Sequence, residues 1–67
     1  MRISMTYDIP KPAIGRCLEA YVRHDLGFMC DYARGQLTVE VPESVTLDEA
    51  GRRIGKLRLR AMRRFGR

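Results

Sequence analysis

Ile3, Met5 and Tyr7 alternate with Arg2, Ser4 and Thr6 at the start of the chain. That two-residue period predicts a strand with one buried and one polar face. Asp8-Ile9-Pro10-Lys11-Pro12 ends it, and Pro12 suits a first helical turn. From there Ile14, Cys17, Leu18, Tyr21, Val22 and Asp25 fall at helical spacing until Gly27, the residue type that closes helices at the C-cap. The spacing predicts an amphipathic helix of about fourteen residues. Phe28, Cys30 and Tyr32 then alternate against Met29 and Asp31, Arg34-Gly35 makes a turn, and Leu37, Val39 and Val41 alternate against Thr38 and Glu40. Two strands of a hairpin are expected there. After Pro42, Thr46-Leu47-Asp48-Glu49 has the form of a capping box. It opens a helix over residues 47–65, in which Leu47, Ala50, Ile54, Leu57, Ala61 and Phe65 form one apolar stripe.

The predicted order is β-α-β-β-α in a single domain over residues 1–67. Every strand is half polar, so both helices should cover one face of the sheet and leave the other to water. A right-handed crossover through the first helix gives a three-stranded antiparallel sheet of order 2-3-1, an α+β fold of truncated ferredoxin-like form, without that fold's last strand. The first strand then lies at an edge, with neither proline nor dense charge to blunt it. Pairing across a two-fold axis, in a homodimer, would cover that edge and enlarge a small core.

Charge changes this picture most. Residues 1–50 hold five basic and eight acidic side chains, while residues 51–67 hold eight basic and none acidic, which splits the formal +5 into −3 and +8. At about 100° per residue, Arg52, Arg53, Lys56, Arg60, Arg63, Arg64 and Arg67 fall within about 120° on the side of the second helix away from its apolar stripe. The like-charged i, i+4 pairs Arg52/Lys56, Lys56/Arg60, Arg60/Arg64 and Arg63/Arg67 repel, a cost that a polyanion relieves. The alternative is a solvated surface helix whose long side chains snorkel over its apolar edge. Two ionisable residues break the pattern, Asp25 on the first helix's stripe and Arg58 close to the second's. Since both helices pack on one sheet face, they are expected to meet as a partly buried structural ion pair.

Composition bounds the rest. Apolar residues make up 45% and charged residues 31%, an ordinary globular balance. A chain of 67 residues buries only about 60% of the surface its unfolded form exposes, so marginal stability or association is expected. The first residues carry charge and hydroxyls in place of a signal peptide's apolar core, and no apolar run could cross a membrane. The expected location is cytoplasmic, with Cys17 and Cys30 as reduced core residues.

Catalytic and metal chemistry find little footing. Cys17 and His24 share a helical face but stand about 10.5 Å apart along the axis, too far to bind one zinc ion with Cys30. Ser4 and Ser44 have no base at a recognisable spacing, and Gly51 and Gly55 lie in a helix without a P-loop lysine. No enzyme activity, cofactor, metal or small-molecule substrate is expected. Gly51 and Gly55 instead suggest close approach to the sheet or a partner helix, since each costs about 1 kcal/mol against alanine in a helix interior.

The leading expectation is a small nucleic-acid-binding protein gripping phosphates through the arginine-rich helix, DNA more than RNA, because the open sheet face lacks stacking aromatics. The alternative is a non-enzymatic interaction module, an adaptor or inhibitor of the kind that phages and other mobile elements use, docking the same residues on an acidic protein. Shallow binding to an anionic membrane surface, with Leu59, Met62 and Phe65 inserted, is the least supported of the three.

Overall fold

The computed structural model describes residues 3–65, so Arg2 of the expected first strand lies outside the described residues. The elements are β1 (Ile3–Asp8), α1 (Pro12–Tyr21) continued by a π-helical turn (Val22–Leu26), β2 (Met29–Ala33), β3 (Gln36–Val41) and α2 (Leu47–Phe65). β3 lies between the other two strands and is antiparallel to both, which is the expected order. In register, Met5 opposes Val39 and Tyr7 opposes Leu37 on one side, while Cys30 opposes Val39 and Tyr32 opposes Leu37 on the other. These residues share the covered face.

One core joins that face to both helices. Leu37, Val39, Val41 and Cys30 pack with Ile14, Leu18 and Val22 of the first helix and Ala50, Ile54, Leu57 and Ala61 of the second. Ser4, Thr6, Met29, Asp31, Gln36 and Thr38 remain exposed on the opposite face. Leu47 and Phe65, expected within the stripe of α2, are 45% and 38% exposed. They lie at the ends of a helix that outruns the small sheet beneath it.

Local chemistry explains the boundaries. Arg34 and Gly35 both take positive φ, 53° and 77°, as a two-residue hairpin turn of the twist-matched type requires. Gly27 closes the first helix at φ 69°. The Thr46 hydroxyl accepts the Glu49 N–H at 3.1 Å, but the Glu49 carboxylate does not complete the box. It accepts instead from Arg53 Nε at 2.9 Å.

The π-turn was not foreseen, and it accounts for one error. An i→i+5 turn inserts one extra residue into the helical phase. Past Val22, each position therefore faces where its predecessor would face in a regular α-helix. Leu26, rather than Asp25, packs against the core, and Asp25 stands in solvent.

β1 and β2 are both edge strands, and they are treated differently. The Glu19 carboxylate accepts the Tyr32 N–H at 2.9 Å, and Arg23 Nη2 donates to the Cys30 carbonyl at 2.7 Å. Glu19 and Arg23 are themselves 3.5 Å apart, one helical turn along. Side chains of the first helix thus occupy outward-facing backbone groups of β2. Tyr32 also lies across Gly15, where an added Cβ would sit 2.1 Å from Cε1 of its ring. Its hydroxyl donates to the Ile9 carbonyl at 2.6 Å.

Candidate nucleic-acid interface

α2 is held by the buried row Ala50, Ile54, Leu57 and Ala61. At about 100° per residue the direction opposite that row falls among Arg52, Lys56, Leu59 and Arg63, which span an arc of about 60°. Arg53, Arg60 and Arg64 lie to one side of them, towards the first helix. All six of these basic residues are exposed. The seventh expected member, Arg67, lies outside the described residues.

The two groups differ in what they already hold. Arg53 pairs with Glu49 at 2.9 Å. Arg60 Nη1 is 3.5 Å from the Asp25 carboxylate, and its guanidinium lies over the Tyr21 ring, 5.7 Å from the centroid. Arg64 stands 5.4 Å from the Phe65 centroid, and the Tyr21 phenol, followed by Cys17, pushes its pKa still higher. Arg52, Lys56 and Arg63 form no ion pair with any described residue. Arg53, through its hydrogen bond, and then Arg52 hold the Glu49 carboxyl below its ordinary range.

The expected Asp25–Arg58 pair is not formed. Asp25 meets Arg60 instead, because the π-turn carries it off the first helix's apolar face. Both partners are largely in solvent, at 45% and 64% exposure, so this is a surface pair of at most about 1 kcal/mol. Arg58 is half-buried on the β1 side of α2. Burial raises the Tyr7 phenol there, and the Arg58 charge opposes the shift.

Leu59, 56% exposed, shares a shallow groove with Lys56, Arg60 and Arg63. An apolar side chain thus sits inside a cationic ring. Gly51 faces the sheet, with Met5 Cε 3.7 Å from an added Cβ, whereas Gly55 has nothing within 4 Å. Lys11 donates to the Phe65 carbonyl, placing a cation at the negative end of the α2 dipole.

Both thiols are free, Cys30 buried and Cys17 half-buried rather than fully in the core. Burial raises the Cys30 pKa, and its Sγ lies 3.4 Å from the Glu19 carbonyl that accepts from it. Among the described residues no cluster of three or more His, Cys, Asp or Glu side chains could hold a metal ion. No described helix is long and apolar enough to cross a membrane. Sequence reasoning missed the Glu19/Arg23 clamp on β2, although an opposite-charge i, i+4 pair ahead of a strand was a signal for it.

Comparison with protein-family models, with curated proteins and with solved structures gives no match.

Proposed function

We propose that the protein binds nucleic acid, duplex DNA in preference to RNA, by laying the outward face of α2 along phosphates. One observation carries this reading: Arg52, Lys56 and Arg63 project in a single row, exposed and without carboxylate partners among the described residues. Arg52 and Arg63 are about 16 Å apart along the helix axis, enough to span successive phosphates. The open sheet face supports duplex over single-stranded binding, since its exposed residues Ser4, Thr6, Met29, Asp31, Gln36 and Thr38 include no ring on which a base could stack. The row offers no Asn or Gln for adenine, so contacts to phosphate, insensitive to sequence, dominate. The same reading takes the β-α-β-β-α order as a ferredoxin-like arrangement without its final strand.

Because Arg53 and Arg60 are paired with Glu49 and Asp25, and Arg64 lies to the side against Tyr21 and Phe65, the three cations of the outward row remain among the described residues for counterion release. Affinity should then fall with a log–log salt slope of about −2.7 per bound chain, rather than the slope of about −6 given by counting all seven residues of the basic arc. The test is titration of a mixed-sequence duplex at two salt concentrations. An Arg52/Lys56/Arg63→Ala variant is expected to lose binding, while Arg53→Ala retains it. Equal binding by both variants would sink the reading.

Leu59 within its cationic ring favours one second reading, an apolar anchor on an acidic protein surface. Under that reading Leu59→Ala abolishes capture of the partner, whereas duplex binding, where present, survives the same change.

A further inference from the structure

We infer that two copies of this chain join through the open edge of β1, in one definable register, and so bring their α2 helices together. The Tyr32 N–H and Cys30 carbonyl face away from β3, because Glu19 and Arg23 reach them. Alternation then directs the backbone groups of Met29, Asp31 and Ala33 to β3, and those of Leu37, Val39 and Val41 to β1. On β1, Ile3, Met5 and Tyr7 are bonded to β3, while Ser4, Thr6 and Asp8 turn their N–H and C=O groups outwards. The Ile9 N–H, which reaches the Gly35 carbonyl at 2.7 Å, continues the same odd-numbered phase. β2 is clamped by the first helix, whereas no hydrogen bond among the described residues covers the outer edge of β1.

This edge matches itself. A two-fold axis through Thr6 places Thr6 opposite Thr6 and Ser4 opposite Asp8, and every outward donor from Ser4 to Asp8 meets an acceptor. On the open face a hydroxyl then faces a carboxylate. On the covered face Met5 comes opposite Tyr7 and extends the apolar layer. The position filled is the one a further strand, crossing back over α2, would occupy beside β1.

The helix layer is built for the same contact. Gly51 approaches Met5, and Arg58 lies by Tyr7, so α2 stands over β1. Between them, Gly55 faces open space where the second copy of α2 would arrive. Ile3, Leu47, Met62 and Phe65, exposed large apolar residues, lie on this side of the molecule, and Arg58 is the one cation among the described residues of that helix flank. The basic rows stay on the outside. For the polyanion reading, on which this point alone rests, the result is two rows of Arg52, Lys56 and Arg63, related by the two-fold axis and running in opposite directions, on one symmetric surface.

The test is sedimentation of the full chain, without DNA, beside variants. The expected wild-type species has twice the 7.7 kDa chain mass. Thr6→Pro removes only an outward N–H, so β1 keeps its ladder to β3 and the variant should sediment as a folded monomer. Gly55→Leu, whose Cβ would have nothing within 4 Å outside its own helix backbone, should also be monomeric and decides the matter if Thr6→Pro fails to fold. Under oxidation Thr6→Cys should form a covalent dimer, and Ser4→Cys should not. A wild type monomeric up to about millimolar concentration, at the weakest end of specific association, would overturn the inference. So would undiminished dimer in a folded Thr6→Pro, or in Gly55→Leu, or equal crosslinking at both cysteines. A dimer that ignores DNA removes the polyanion reading and leaves the pairing; a monomer that binds DNA does the reverse.

Discussion

Gly15→Ala should destabilise the protein even though alanine is the better helix former. Gly15 lies within α1, where alanine gains about 1 kcal/mol of helix propensity. Its new Cβ, however, would stand 2.1 Å from Cε1 and 2.4 Å from Cζ of Tyr32. Carbon atoms rest about 3.5–4.0 Å apart, so the ring must withdraw by about 1.5 Å. That movement breaks the 2.6 Å bond from the Tyr32 hydroxyl to the Ile9 carbonyl, a loss of about 1 kcal/mol. Overpacking adds about 1–3 kcal/mol. The net loss is about 1–3 kcal/mol, against a total stability of about 3–10 kcal/mol for a domain of this size. Urea denaturation followed by circular dichroism measures it directly, and each kcal/mol should lower Tm by about 4–8 °C. In a Tyr32→Val background the clash is gone, so Gly15→Ala should turn stabilising by about 1 kcal/mol. An unchanged or raised midpoint for the single variant, or the same effect in both backgrounds, would refute the packing argument.

Two further outcomes follow from the backbone and the titrating groups. Arg34 holds φ 53° in the hairpin turn, a conformation that asparagine tolerates better, so Arg34→Asn should raise the urea midpoint by the equivalent of about 0.5–1 kcal/mol; a lowered midpoint would contradict this. Burial raises Cys30 from 9.0 and Tyr7 from 10.0, so the fold favours the neutral thiol and phenol. Their contribution is complete below those unfolded values and is lost as pH rises through the folded ones. The urea midpoint should therefore fall above about pH 9, with the steepening above about pH 10 absent in Tyr7→Phe; a midpoint that holds or rises would be inconsistent with these shifts.

The sequence was most legible where a pattern and a stop signal coincided. α2 begins after its Thr46 cap and runs to Phe65 as the apolar spacing indicated. The three strands follow their alternation, and Arg34-Gly35 forms the turn between two of them. The pattern misled at the ends of α2, because periodicity continues past the length of sheet available to cover it. It misled again at Asp25, since the π-turn leaves no mark in residue type and regular 100° steps carry the reading onto the wrong face. Which cations are engaged was also hidden: Arg60 finds Asp25, and Arg64 finds Tyr21, through the crossing of two helices distant in sequence. The fit of Gly15 under Tyr32 is of the same kind, a tertiary contact invisible from either residue alone.

The π-turn also changes what a small insertion or deletion would mean. Between Tyr21 and Gly27 the chain carries one residue more than an α-helix spanning the same rise would use. Loss of one residue there amounts to a rewinding rather than a truncation: the helix keeps its start at Pro12 and its stop at Gly27, and only the compass bearing of its final turn changes. Chains differing by a single residue in this stretch can therefore share one fold while presenting different side chains to α2, so an alignment that places the gap in the preceding loop would superimpose residues that point in different directions.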